Sequence, residues 1–292
     1  MPILLKGAPA AQALTERARA ESDALRARGV TPTLAIVRVG EDGANLAYER
    51  GARKRCEQCG VAVRGVALPE DAAQSELTDA LAALNADSGV HGILLLRPLP
   101  PQLDEASVCA AVAPEKDVDG VTAASMAAVY AGSGAGFAPC TAEACVALLR
   151  HYGVPLEGRR VVVVGRSLVI GRPASMLLLR ENATVTVAHS RSRELGALCR
   201  EADVLVVAAG RLGLIGAEHL RAGQTVVDVG IHAAPDGSLR GDVRFDEAEP
   251  LVDAVTPVPG GVGAVTTAVL CNHVIQAAKA SQSFAPAGAK SV

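Results

Sequence analysis

The chain has 292 residues, of which half are apolar, 2% are aromatic and none is tryptophan. Its formal net charge of −3 gives no basic footprint, so nucleic acid is not an expected partner. No apolar run reaches the length of a membrane span, and residues 1–6 are too short for a signal peptide. The length suffices for two domains with cores of Ala, Val and Leu, and we expect a cytoplasmic enzyme.

The first half alternates helices and strands, which is typical of an α/β domain. Hydrophobic periodicity predicts helices over residues 8–28, 45–59 and 74–85, and strands over residues 32–40, 61–68 and 92–100. The glycine-rich residues 131–136 indicate a hinge, and a helix over residues 141–152 leads into the second half. A second α/β domain is therefore expected after the hinge.

The seven cysteines are an odd number and suggest no disulfide framework. Cys56 and Cys59 have the C-x-x-C spacing, but they lie inside a predicted helix with no second pair or histidine cluster nearby. Buried structural thiols are favoured over metal or redox duty, and we predict no metal site.

The most informative stretch is the strand Val161–Val164, followed by a turn at Gly165 and a helix that opens near Ala174. Pro173 stands where the missing N–H of proline costs nothing. A strand, a glycine turn and a helix N-terminus together favour a bound phosphate. The spacing of Gly165 and Gly171 departs from the G-x-G-x-x-G pattern, so a purely structural connection stays open.

The strand over residues 184–188 ends in His189, Ser190 and Arg191, where an acidic residue would select NAD. Hydroxyls and cations, with Arg166 from the first turn, suit a 2′-phosphate instead and favour NADP. A solvated basic loop is the alternative. Two further strand-and-glycine units, over residues 204–210 and 225–230, complete a doubly wound sheet.

Four motifs occur in order along the chain: Lys-Asp-Val-Asp-Gly at 116–120, Ala-Pro-Cys-Thr at 138–141, the glycine turn at 165–173, and Thr-Pro-Val-Pro-Gly-Gly-Val-Gly at 256–263. With these motifs the chain resembles the bifunctional methylenetetrahydrofolate dehydrogenase/methenyltetrahydrofolate cyclohydrolase family. The resemblance covers residues 5 to about 278.

The resemblance implies two α/β domains flanking a cleft, the second a Rossmann-like doubly wound sheet, and a homodimer. Residues 1–137 would form the folate-binding catalytic domain, completed by the helix over residues 264–280. Residues 138–263 would bind NADP, and residues 281–292 would be a flexible tail.

The resemblance also implies roles for particular residues. Tyr48 would stack on the folate ring and Asp119 would accept hydrogen bonds from the pterin. The other folate contacts would be Leu95, Leu96, Arg97, Pro259, Gly260, Gly261 and Val262. The NADP contacts would be Gly165, Arg166, Ser167, Gly171, Pro173, His189, Ser190, Arg191, Gly210, Gly230 and Ile231.

The chain departs from the family at its catalytic pair. The family carries Tyr-x-x-x-Lys on one helix face, and the Lys position here is Ala52. The Gln that orients this Lys is replaced by Leu96. Two smaller changes are Gly-Ala-Val-Thr at 263–266 for the family's Gly-Pro-Met-Thr, and Ser125 for an Asn.

Hydrolysis of the methenyl bridge needs a positioned acid/base, which Ala cannot supply, whereas hydride transfer moves no proton. The sequence therefore predicts an NADP-dependent dehydrogenase whose cyclohydrolase activity is weak or lost. Lys54, Arg55 and Arg97 are poor substitutes, since helix and strand geometry or a permanently charged guanidinium disfavours each. Two alternatives stay open, namely methylene transfer to a small acceptor and a non-catalytic folate-binding partner subunit.

Overall fold

A computed structural model describes residues 2–133, 136–234 and 236–283. The chain divides into two compact units. Unit 1 comprises Met1–Ala13, Val129–Ser133 and Ala138–Thr266, and unit 2 comprises Leu14–Ala128, Gly134–Phe137 and Thr267–Val292. Among the described residues, no helix is long and apolar enough to cross a membrane.

The elements follow one another with short connections. The strands are β1 (Ile3–Leu4), β2 (Thr33–Val39), β3 (Ala62–Leu68), β4 (Gly92–Leu95), β5 (Arg160–Val164), β6 (Thr184–Ala188), β7 (Val204–Val207), β8 (Thr225–Asp228), β9 (His232–Ala233), β10 (Leu239–Arg240) and β11 (Ala254–Val255). The helices are α1 (Gly7–Arg26), α2 (Gly43–Cys59), α3 (Gln74–Ala86), α4 (Glu105–Ala110), α5 (Ala123–Ala131), α6 (Cys140–His151), α7 (Gly171–Arg180), α8 (Leu195–Glu201), α9 (Phe245–Ala248) and α10 (Gly263–Ser283).

Unit 1 is built on a parallel sheet whose described strands have the order β1-β11-β8-β7-β5-β6. The four valines Val161–Val164 are buried, as expected for a strand covered on both faces. From β5 the chain moves to β6 on one side and then to β7 on the other. The strand order therefore reverses at β5, which is where open α/β sheets bind ligands beyond the carboxyl ends of their strands.

Unit 2 contains a smaller parallel sheet, with the order β3-β2-β4 among its described strands. Its core joins the sheet to α3 through Leu77, Leu81, Ile93 and Leu95. These side chains recur every three to four residues on the helix and every two on the strand, which explains why periodicity predicted both elements.

Several boundaries differ from those predicted. Residues 1–13 group with unit 1 rather than with the predicted first domain, because β1 pairs in parallel with β11. Helix α10 continues through Ser283 and so includes the first residues of the predicted tail, while residues 284–292 lie outside the described residues. Within the predicted hinge, Gly134 and Ala135 also lie outside them. Sequence reasoning missed the short helices α4, α5, α8 and α9 and the hairpin β9–β10.

Candidate functional site

The turn between β5 and α7 is wound too tightly for side chains at its two glycines. Gly165 has φ +130°, and a Cβ there would overlap the backbone of Ala208. A Cβ on Gly171 would overlap the backbone of Gly165. The Ser167 hydroxyl accepts from the N–H groups of Ile170 and Gly171 at 3.1 and 3.4 Å. The arrangement presents the N-terminus of a ten-residue helix at the point where the strand order reverses.

The helix start differs from the one expected at Ala174. Helix α7 begins at Gly171, so Pro173 is its third residue rather than its first. Proline is tolerated at this position, because the N–H groups of the first helical turn have no acceptor within the helix. Pro173 is buried, while Arg166 and Ser167 are exposed on the turn.

The loop after β6 is shaped by its own side chains. His189 Nδ1 accepts from the N–H of Arg191 at 3.1 Å, and Ser192 Oγ accepts from the N–H of His189 at 2.9 Å. Ser190 and Arg191 are exposed at the tip. A loop folded in this way offers a hydroxyl and a guanidinium to solvent at the carboxyl end of the sheet's edge strand.

Two buried carboxylates, which sequence reasoning missed, hold the loops after β7 and β8. Asp242 is fully buried and accepts from the N–H groups of residues 209–211 at 2.6, 2.9 and 2.7 Å. Asp228 accepts from the N–H groups of Gly230, Asp242 and Val243 at 3.0, 3.0 and 2.9 Å. Burial raises the pKa of Asp228 to about 6, against the lowering effect of these hydrogen bonds. The only sequence signal was an Asp at the end of a predicted strand.

In unit 2, the buried face of α2 carries Ala52, at the position where the resemblance leads us to expect Lys. Tyr48 is half-buried and Ala52, one turn later, is fully buried. The buried Glu49 on the same face pairs with Arg53 at 2.7 Å and with Arg38 at 3.3 Å. Position 52 is therefore occupied by a methyl group in an enclosed setting.

Leu96, at the position where the resemblance leads us to expect Gln, follows β4. Leu96 is 3% exposed, and its N–H donates to the carbonyl of Val37 at 2.9 Å, which extends the strand pairing by one residue. Leu95 is equally buried. Arg97 lies 3.4 Å from Glu105 at the start of α4. An apolar side chain thus stands at position 96, and the neighbouring cation is paired with a carboxylate.

The loop that carries Asp119 is held by its neighbour. Asp117 is fully buried and accepts from the N–H groups of Val121 and Thr122 at 2.9 and 2.8 Å. His273 Nδ1, from α10, lies 2.8 Å from the carbonyl oxygen of Val118. The turn-forming role that an Asp before a glycine often has is thus performed by Asp117, and Asp119 is half-buried in the loop.

Lys116 and Arg55, two other cations of unit 2 near these elements, have structural partners. Lys116 Nζ donates to the carbonyls of Leu84, Asn85 and Asp87 at 2.9, 2.8 and 2.6 Å, which uses all three of its N–H groups at the end of α3. Burial lowers the pKa of Lys116. Arg55 donates to the Thr15 hydroxyl at 3.0 Å. Lys54 is exposed on α2.

The segment Pro259–Val262 belongs to unit 1. Gly260 is exposed with φ +99°, and its carbonyl accepts from the N–H of Gly7 at 2.7 Å. A Cβ on Gly261 would lie 2.6 Å from the carbonyl oxygen of Pro257. Val262 is buried. Both glycines are therefore required by the backbone path.

The seven cysteines are all buried and free of disulfides. Cys56 and Cys271 approach to 3.7 Å between their sulfur atoms, so the C-x-x-C motif packs against α10. A hydrogen bond with Cys271 lowers the pKa of Cys59, whereas the same cluster raises the pKa of Cys271. Burial of all seven agrees with the expected structural thiols.

Comparison with known proteins identifies the family that the chain matches. The catalytic-domain model of tetrahydrofolate dehydrogenase/cyclohydrolase matches residues 5–119, and the NAD(P)-binding-domain model of the same family matches residues 139–282. The bifunctional protein FolD of Carboxydothermus hydrogenoformans is 47% identical over 94% of this chain and 96% of its own length.

Solved structures agree with this. The bifunctional dehydrogenase/cyclohydrolase FolD of Campylobacter jejuni has a TM-score of 0.93 at 35% identity and covers 96% of this chain and 99% of its own. The Trypanosoma brucei dehydrogenase-cyclohydrolase, complexed with NADP cofactor and inhibitor, has a TM-score of 0.90 at 34% identity and covers 96% and 98%.

Proposed function

The chain belongs to the tetrahydrofolate dehydrogenase/cyclohydrolase family, and on that basis we propose that it oxidises 5,10-methylenetetrahydrofolate to 5,10-methenyltetrahydrofolate with NADP. We further propose that its cyclohydrolase activity is weak or lost. Unit 1 binds NADP and unit 2 binds the folate. The observation that carries the second part of the proposal is the pair of buried apolar side chains at positions 52 and 96.

The residues of unit 1 suit the cofactor. The turn of Gly165, Ser167 and Gly171, which is too tight for a Cβ at either glycine, holds the pyrophosphate at the N-terminus of α7. The exposed Arg166, Ser190 and Arg191 bind the 2′-phosphate.

The remaining NADP contacts lie on the loops after β7 and β8, which carry Gly210, Gly230 and Ile231. When bound, NADP supplies the acceptor for the hydride that leaves the methylene carbon.

In unit 2, Tyr48 stacks on the folate ring and Asp119 accepts hydrogen bonds from the pterin. The Asp117 carboxylate accepts two backbone hydrogen bonds from the loop of Asp119, which fixes the position of the loop backbone. The folate contacts of Leu95, Leu96 and Arg97 stay a prediction from the sequence, since both leucines are buried and Arg97 is paired with Glu105. The folate contacts assigned to Pro259–Val262 stay a prediction from the sequence.

Hydride transfer and hydrolysis make different demands on these residues. The hydride leaves without a proton, so binding and orientation of folate and NADP suffice for the oxidation. Hydrolysis must add water and move protons between oxygen and nitrogen, which requires an acid/base of suitable pKa. Ala52 and Leu96 hold no titratable group, and Lys116 has spent its donors on backbone carbonyls.

The dehydrogenase is tested by NADPH formation from 5,10-methylenetetrahydrofolate. Tyr48→Phe should keep the KM for folate within about threefold, because the ring is retained, whereas Tyr48→Ala should raise it by about tenfold or more. Tyr130→Ala, at a tyrosine that is 80% exposed, is the matched control and should change nothing. No NADPH formation by the wild type would overturn the proposal.

The resemblance also leads us to propose a homodimer that acts in the cytoplasm. Light scattering on the purified protein measures the mass, and a value of one chain at assay concentration would contradict the dimer.

A further inference from the structure

We propose that Asp242, with His232 as its donor, is a positioning residue of the cofactor site, which sets the loops of Gly210 and Ile231 before NADP binds. The inference rests on the proposed binding of NADP by unit 1. It assigns a role to two side chains that neither the motifs nor the resemblance singled out.

The hairpin β9–β10 brings His232 to Asp242. Arg240 is the register partner of His232, and Asp242 follows β10 by two residues. His232 Nε2 lies 2.7 Å from Asp242 Oδ1, with the imidazole 23% exposed and the carboxylate fully buried. Because a carboxylate only accepts, the imidazole donates from Nε2.

The loop after β8 packs directly on the same carboxylate. A Cβ on Gly230 would lie 2.5 Å from the Cγ and Oδ1 atoms of Asp242, so only glycine fits there. Ile231, which is 63% exposed, therefore stands between two residues that both touch Asp242. The loop after β7 contacts both oxygens of the carboxylate: the N–H groups of residues 209 and 210 donate to Oδ2, and that of residue 211 donates to Oδ1.

One carboxylate thus connects two loops that begin at neighbouring strands. A buried carboxylate is retained only where hydrogen bonds replace its hydration, and Asp242 has four donors. Loops that are ordered beforehand need not be ordered by the ligand, which increases affinity for the ligand. Loss of the His232 donor leaves the loop of residues 209–211 bound and loosens the loop of Ile231, which keeps its hydrogen bond from Gly230 to Asp228 but loses its link to Asp242.

The test is calorimetric titration of the ligand-free protein with NADP, without folate. His232→Ala and His232→Leu should each raise the Kd for NADP about tenfold, the change that ~1.4 kcal/mol produces, whereas His232→Gln should restore it to within threefold because its amide N–H can replace Nε2. In turnover, the KM for NADP should rise while kcat at saturating NADP stays within twofold. The control is His219→Ala, at a unit 1 histidine whose Nδ1 accepts from the N–H of Gly216 at 3.3 Å.

The titration results distinguish failure of the proposed function from failure of this inference. Wild-type protein that fails to bind NADP overturns the proposed function, and this inference with it. Wild-type protein that binds NADP while His232→Ala and His232→Leu bind equally well overturns this inference alone. Equal weakening by His219→Ala, or no rescue by His232→Gln, would show a general structural effect and also overturn it. Titration well below each variant's melting temperature keeps unfolding out of the comparison.

Discussion

Restoring the family's catalytic pair, as Ala52→Lys with Leu96→Gln, should create cyclohydrolase activity in this chain. Ala52 is fully buried on α2 and Leu96 is 3% exposed beyond β4. A lysine at position 52 would lie one turn after Tyr48 on the same helix and would be largely removed from water. Burial lowers the pKa of such a lysine toward the range in which it can exchange protons.

The expected magnitudes follow from this setting. A positioned acid/base contributes about 10²–10⁴-fold to the step that uses it, so the double variant should gain at least 10²-fold in hydrolysis. Because glutamine matters only when a lysine is present to orient, the double variant should exceed the product of the single effects by about tenfold. Larger side chains in an enclosed site should lower the free energy of unfolding by about 1–3 kcal/mol.

The assay follows the disappearance of methenyltetrahydrofolate, with the buffer rate subtracted, for the wild type, both single variants and the double variant. Ala47→Lys, at an exposed position of the same helix, is the matched control and should not hydrolyse. NADPH formation by each protein reports that the folate and NADP sites are intact. A double variant that forms NADPH but hydrolyses no faster than Ala47→Lys would refute the reasoning.

Three further outcomes are expected. Arg166→Ala with Arg191→Ala should weaken NADP binding by ~1–3 kcal/mol and leave NAD nearly unchanged, and equal losses in calorimetry would contradict this. The pKa of Asp228, raised from 3.8 to about 6, means that its contribution to stability is fully present below pH 3.8 and is lost as pH rises through 6. In urea titrations the wild type should therefore lose ~3 kcal/mol relative to Asp228→Asn across that interval, whereas parallel curves would contradict the assignment. Lys116→Met should lower the free energy of unfolding by about 2–4 kcal/mol, since it leaves buried carbonyls at the end of α3 without donors, and an unchanged urea midpoint would contradict this.

The sequence was informative where the physical signal is local. Four buried valines followed by glycine predicted β5 and its turn, because a parallel strand covered on both faces needs continuous apolar residues. The start of α7 was harder to predict from the sequence, since Ser167 and the tight turn hold Gly171 in the helix.

The sequence was uninformative where the partner lies far along the chain. Nothing in the spacing of Asp242 indicates that it binds the N–H groups of residues 209–211, which precede it by about thirty residues. Asp117 and Asp119 are equally good turn residues by composition, and only the hydrogen bonds show that Asp117 forms the turn. The pairing of β1 with β11 likewise cannot be predicted, because a two-residue strand has too few residues to show a periodic pattern.

The central claim is an oxidation without subsequent hydrolysis, and product stoichiometry tests it most directly. Purified wild-type protein is supplied with 5,10-methylenetetrahydrofolate and NADP, and NADPH and methenyltetrahydrofolate are followed together by their absorbance spectra without acid, because acid would convert 10-formyltetrahydrofolate back into methenyltetrahydrofolate. We expect methenyltetrahydrofolate to accumulate one for one with NADPH, apart from its loss in buffer. NADPH that forms without methenyltetrahydrofolate, together with 10-formyltetrahydrofolate, would contradict the account and indicate that Arg55 or Arg97 performs the hydrolysis.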